Sequence, residues 1–168
     1  LYCMALSPIT IVIRIIAVQL TLNTKRTVKN RGRFFGDIYL TDVRKYREDR
    51  LHPLGIEVVE PLWNPNSNEV MQDFLASGIK TQIIVTDASK LGEAFIGQDI
   101  SLTVLDLMSA EVDVCGENGE YHTFSYDGGP FKYPVDFNII ETRKLSYEFK
   151  LDNGEEMTYH YWQAIFEQ

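Results

Sequence analysis

The spacing of apolar and polar positions changes several times along the chain, and each change predicts an element. Residues 9–22, ITIVIRIIAVQLTL, form a β-branched apolar run that reads as a buried strand. A membrane anchor fits it less well: the run is short for a span, and Arg14 sits at its centre, where hydrocarbon penalises a charge. It also offers no clear small-residue cleavage site of a signal peptide. FFGDIYL, residues 34–40, is a second short apolar run and predicts a strand closing near Gly36-Asp37. TDVRKYREDRLH then predicts a helix capped by Thr41 or Asp42, with Val43, Tyr46 and Arg50 along one stripe. Pro53 and Gly55 stop it.

IEVVEPLW, residues 56–63, predicts the next strand. NPNSNEVMQDFLASG predicts a helix capped by Asn66 or Ser67, and Asn66 with Glu69 has the spacing of a capping box. Val70, Met71, Phe74 and Leu75 form its apolar face, and Gly78 ends it. IKTQIIVTD, residues 79–87, is a strand pattern, ASKLGEAFIGQ a loop or short helix, and DISLTVLDLMSA a helix. Strand and helix alternating at this spacing predict an α/β fold, a parallel sheet with helices on its faces. Ligands bind such sheets beyond the carboxyl ends of the strands, where Gly36-Asp37 and Thr86-Asp87 fall. The tail has another rhythm. YHTFSYD alternates, FNIIET and KLSYEFKLDNGEEMTYHYWQAIF are aromatic and β-branched, and Asp152-Asn153-Gly154 predicts a hairpin turn. A small C-terminal antiparallel element follows.

Composition narrows the function. The 168 residues are 45% hydrophobic and 24% charged, enough for one globular domain with a core. A net charge of −8 argues against a general nucleic-acid binder. The basic run Lys25, Arg26, Lys29, Arg31 and Arg33 is the exception and reads as a solvated linker. Cys3 and Cys115 are too few and too far apart for a disulfide framework, so a reducing, cytoplasmic setting is expected. A first residue of Leu rather than Met suggests a fragment or a processed product.

The segment CGENGEYHTFSYDGGPFKYP, residues 115–134, concentrates the candidate chemistry. Glu117 and Glu120 flank an Asn118-Gly119 turn, and His122 follows. On a strand, Glu120, His122, Phe124 and Tyr126 point one way and Tyr121, Thr123 and Ser125 the other. Glu120 and His122 are then roughly 7 Å apart at the backbone. Facing an open concave surface shared with Asp37, they suit acid–base work, a metal, or recognition of an amine. The alternative is a loop whose carboxylates cap neighbouring backbone. A zinc site from Cys115, His122 and a glutamate matches no strong ligand spacing. His52 and His160 read as structural or exposed, and Trp63 as core. Arg44, Arg47 and Arg50 read as a solvated helix face, with phosphate contact as the alternative.

FGDIYLTDVRKYRED, PLW, GIKTQIIVTD, FIGQ and above all DVCGENGEYHTFSYDGGPFKYPV resemble the diphthine–ammonia ligase family, over about Phe34 to Phe137. That family belongs to the ATP-pyrophosphatase (PP-loop) branch of the Rossmann-like, adenine nucleotide alpha hydrolase-like proteins. The resemblance implies a Rossmann-like parallel sheet with flanking helices plus the C-terminal β element. It divides the chain into an unmatched segment 1–33, an α/β domain 34–137 and a hairpin extension 138–168. It implies ATP and Mg as cofactors, adenylation of a substrate carboxylate, and displacement of AMP by ammonia. Glu117, Glu120 and His122 would be the catalytic residues. Gly36, Asp37, Arg47, Asn118, Gly119 and Thr123 would contact substrate or nucleotide. The implied partner is an elongation factor bearing diphthine, or a small carboxylate. The family's phosphate loop, Ser-Gly-Gly-Lys-Asp-Ser, does not occur in the 168 residues, so these residues alone are not expected to release pyrophosphate from ATP. A non-catalytic remnant or binding module that keeps the substrate cleft is the alternative.

Overall fold

The computed structural model describes residues 31–63, 66–150 and 156–167. The run at 9–22, Cys3, most of the basic segment and the Asp152-Asn153-Gly154 turn lie outside the described residues. The fold is α/β, with a two-stranded parallel sheet and a four-stranded antiparallel one. Strand β1 (Arg31–Phe34) leads to helix α1 (Thr41–Leu51), a 3-10 turn (His52–Leu54) and strand β2 (Ile56–Val59). β1 and β2 pair in parallel from Arg31 opposite Ile56 to Phe34 opposite Val59.

The first strand therefore precedes the FFGDIYL run. Phe35 N–H still reaches Val59 O at 2.9 Å. Beyond it the chain leaves the sheet, and Ile38 is fully buried as a loop residue. The apolar signal there marks a core anchor, not a strand. α1 also departs from its expected form. Its N-cap is Leu40, with no side-chain cap, and it has no buried residue. Tyr46 stays 51% exposed, under the Arg50 guanidinium. Ion pairs four residues apart, Arg44–Glu48 and Lys45–Asp49, lace the helix instead of an apolar stripe. Gly55 ends the turn after it at φ 67°, a conformation glycine adopts without strain.

Helix α2 (Ser67–Ala76) follows its sequence signals. The Asn66 side chain accepts from Glu69 N–H and donates to Glu69 Oε1 at 2.8 Å. Val70 and Met71 are buried, with Phe74 and Leu75 packed beside them. Strand β3 (Lys80–Asp87) then breaks with the parallel expectation. It pairs antiparallel with β4 (Tyr121–Asp127) and β6 (Glu156–Phe166). Over Val85–Asp87 both of its edges are taken by these tail strands, which leaves no edge for the β1–β2 pair. The helix predicted over 99–110 shrinks to α3 (Leu102–Asp106), capped by Ser101. Strand β5 (Ile139–Lys150) pairs antiparallel with β6 along its length and forms the sheet's outer edge. Phe137 fastens this hairpin to the sheet, with its ring centroid 5.0 Å from Phe124 and 5.9 Å from Phe166.

Two apolar clusters form the core. One gathers Ile83, Leu91, Val104, Val112 and Tyr121; the other gathers Ile38, Val70, Met71 and Cys115. The loop 113–120 runs between them, with Cys115 in one and Tyr121 in the other. Burial at both ends fixes where this loop sits.

Candidate functional site

A cleft of about 660 Å³ opens beside that loop. Its walls are Tyr39 from the loop after β1, Asn66, Ser67 and Asn68 at the start of α2, residues 108–114, and Asn118. The cleft thus lies on the side to which the chain turns after β1, where parallel α/β units place their ligands.

Hydrogen bonds set the loop. Asp113 Oδ1 accepts from Cys115 N–H at 2.9 Å and Glu117 N–H at 3.3 Å, while Oδ2 accepts from Ser67 Oγ at 2.6 Å. Gly116 and Gly119 take φ 68° and 83°. Gly116 also packs under Tyr121, where a Cβ would meet the Tyr121 carbonyl oxygen at 3.0 Å.

Each candidate carboxylate holds a different neighbour. Glu117 Oε1 accepts from Ile38 N–H at 2.8 Å, tying this loop to the loop after β1. Burial pushes the Glu117 carboxyl up to about 7, and Asp113 adds to the shift against backbone hydrogen bonds and Arg47. Glu120 does not face an open surface, as its place on the strand had suggested. Its side chain is fully buried. Oε1 accepts from Asp113 N–H at 3.2 Å, Asn118 Nδ2 at 3.1 Å and Lys90 Nζ at 3.4 Å; Oε2 accepts from Asn118 N–H at 3.0 Å. The turn at Asn118-Gly119 folds the carboxylate back onto its own loop, which is the capping geometry that the sequence left open.

His122 sits on β4 opposite Val85, half-buried, and Nδ1 has no hydrogen-bond partner among the described residues. Burial lowers its pKa and keeps the imidazole neutral. Thr123 is fully buried on the opposite face of the strand and is not among the cleft-lining residues. The alternation of β4 is thus as its sequence implies, yet it carries Thr123 into the core. Asn118 alone of the predicted site residues borders the cleft. Its Nδ2 donates to Tyr39 Oη at 3.1 Å. Burial and the nearby Asp113 charge push the Tyr39 phenol up to about 12, so it stays protonated and able to donate.

Gly36, Asp37 and Arg47 gather a short distance away. Gly36 is buried. Asp37 pairs with Arg47, whose side chain is 11% exposed and also lies 3.9 Å from Glu60. Arg44 reaches Glu60 at 3.3 Å. Arg47 stacks on Phe35 at 4.2 Å and Arg44 on Trp63 at 4.6 Å. Arg47 is therefore an internal counter-ion, not part of a solvated face. With its charge met by carboxylates, this group does not fit a phosphate cradle. Cys115, His122 and a glutamate do not come together either. Cys115 Sγ donates to Ser67 O, burial raises its thiol pKa, and no metal-binding cluster occurs among the described residues.

Tyr39, Ser67 and Asp113 escaped sequence reasoning. Asp113 had a signal: an Asp two residues before Cys115 and three before Gly116 is an Asx-turn pattern. Tyr39 had none, because its approach to Asn118 spans 79 residues. Among the described residues, no helix is long and apolar enough to cross a membrane.

The 113–120 loop lies within a stretch shared with known proteins. A family profile for the diphthamide synthase C-terminal domain matches residues 66–157, more than half of the chain. Diphthine–ammonia ligase of Mus musculus is 32% identical over 103 residues, covering 57% of this chain and 38% of that protein. The Bos taurus protein of the same name is 29% identical over 102 residues, and the Rattus norvegicus one 29% over 109. The matches span about 38–40% of these relatives' length.

Proposed function

Because this chain belongs to the diphthamide synthase C-terminal domain family, we propose that it forms the acceptor side of an ATP-dependent, amide-forming ligase. In that chemistry a substrate carboxylate is adenylated, and ammonia displaces AMP to leave an amide. ATP with magnesium supplies the activating group, and no described residue is assigned to its phosphates. The observation that carries the reading is that Asp113, Val114 and Asn118, from the segment 113–135 with the strongest family resemblance, border a 660 Å³ cleft.

The chain's own contribution is binding and orientation. The neutral Tyr39 phenol stands at the cleft wall, held there by the Asn118 amide, whose two N–H groups go to Tyr39 Oη and Glu120 Oε1, and Asp113 supplies negative charge that favours an amine or ammonium ion. Glu117 acts as a positioning residue: through Ile38 N–H it sets where Tyr39 stands. The β1–α1–β2 unit is read as one edge of a Rossmann-like parallel sheet. The acceptor fitting the family is a protein bearing diphthine, an elongation factor, in a cytoplasmic setting; a small carboxylate is the alternative acceptor. A second reading, a binding module without turnover, is favoured by the Asp37–Arg47 pairing.

The test combines the chain with the nucleotide-binding half of a family member, ATP, magnesium, ammonium and diphthine-bearing elongation factor. AMP release and the acceptor's mass are followed. The ligase reading expects amide formation that requires this chain. The binding-module reading expects acceptor binding without AMP, and absence of both contradicts both readings.

A further inference from the structure

The β5–β6 hairpin is longer than the sheet that supports it. Among the described residues, β6 pairs with β3 through Tyr161, Trp162 and Gln163, and His160 O accepts one further bond from Ala88 N–H at 2.8 Å. Residues 156–160 and their partners 146–150 therefore continue as a two-stranded ribbon. The ribbon is amphipathic. Leu145 and Tyr147 share one face with their cross-strand partners Tyr161 and Tyr159, and Met157 continues the row. The Tyr147 and Tyr161 rings meet at 5.9 Å. Tyr147 is 40% exposed, Met157 42% and Tyr159 36%. The other face carries Lys144, Ser146, Glu148, Thr158 and His160. Two strands with one apolar face are marginal in water without a third strand or a cover. Among the described residues, no strand pairs with the outer edge of β5.

We infer that the outer edge of β5 is a docking surface for a second copy of this chain, pairing antiparallel about a two-fold axis through Ser146. The charges on the edge carry the inference. Around Ser146, Lys144 of each copy stands opposite Glu148 of the other, twice by symmetry, and Leu145 stands opposite Tyr147, which continues the apolar row across the junction. Lysines on an edge strand ordinarily block such pairing. Here Lys144 stands where Glu148 of the other copy can pair with it, whereas centring on Leu145 forms neither that pair nor a like-charge one. Centring on Lys144, Glu148 or Arg143 sets each against itself, and centring on Tyr147 sets Lys144 against Lys150. Lys144 and Glu148 are both exposed. Lys144 rests 5.5 Å over the Trp162 ring and forms no ion pair among the described residues, and neither does Glu148.

Sedimentation velocity on the full 168-residue chain, over about 1–200 µM, tests this. The expected result is a concentration-dependent dimer. Lys144→Glu and Glu148→Lys each set like charges opposite each other at two positions and should weaken it about tenfold or more. The double charge swap should restore association to within about threefold of the parent. Circular dichroism confirms that these exposed variants fold. A monomer at every concentration, a dimer indifferent to either swap, or a double variant as weak as the singles overturns the inference. So does burial of Tyr147 and Tyr159 that appears only when a different protein is added.

Discussion

Replacing Glu120 by glutamine isolates the charge of a fully buried carboxylate at nearly constant shape. Four donors converge on it: Asp113 N–H, Asn118 N–H, Asn118 Nδ2 and Lys90 Nζ, at 3.0 to 3.4 Å. A glutamine has one acceptor oxygen. Its best placement is at Oε1, which serves three of the four donors. The amide nitrogen then faces Asn118 N–H, donor against donor, and leaves a backbone group without a partner. An orphaned buried donor costs about 1–3 kcal/mol. The Lys90 pair is partly exposed on the lysine side and adds about 0–1 kcal/mol. The expected loss is about 1–4 kcal/mol, or roughly 2–16 °C in melting temperature for a domain of this size. Urea and thermal denaturation followed by circular dichroism measure it. Glu111→Gln, exposed on the same cleft, serves as the control and should stay within about 0.5 kcal/mol of the parent. A Glu120→Gln loss no larger than that control would refute the reasoning, and would return Glu120 to the role of an open side chain.

Glu117 gives a pH signature. Its carboxyl rises from 4.5 to about 7 on folding, chiefly by burial, so the folded protein holds a proton that the unfolded chain has released between those values. Stability from this group therefore declines as pH rises from about 4.5 to about 7 and is level above. Glu117→Gln should flatten that part of a urea-melt pH series, and an unchanged slope contradicts the assignment. Gly128→Ala would place a Cβ 1.9 Å from the Gly78 carbonyl oxygen at φ +75°, and should cost on the order of 3–5 kcal/mol. Gly92→Ala, with nothing within 4 Å, should be neutral; equal effects would sink the argument. Asn66→Ala removes the α2 cap and should cost about 1 kcal/mol in the same melts.

Local signals were legible where the chain satisfies itself locally. The Asn66–Glu69 cap, the Val70-Met71-Phe74-Leu75 face, the stop at Gly55 and the alternation of β4 all depend on neighbours within a few residues. The parallel sheet expected through β3 failed because strand pairing is long-range. Nothing in IKTQIIVTD says whether its edges meet β2 or the tail strands, and β4 and β6 hold them. The same limit applied at the site. Glu117 and Asn118 were visible as a polar turn, but the direction of Glu120 depends on the reversal at Gly119, and Arg47 reads as solvated until Asp37 and Glu60 fold against it. The family was legible because the resemblance matches a long residue block and needs no knowledge of pairing.

The central claim is that the cleft beside residues 113–120 receives the acceptor. Ala110 borders that cleft and is exposed, so Ala110→Trp adds a bulky ring at its wall without disturbing the core. The measurement is acceptor-dependent amide formation by the reconstituted ligase, set beside the melting temperature of the same variant. The account predicts that Ala110→Trp melts within about 2 °C of the parent, the shift of a neutral surface change, and loses acceptor binding and amide formation together. Full amide formation by a folded Ala110→Trp protein would contradict it.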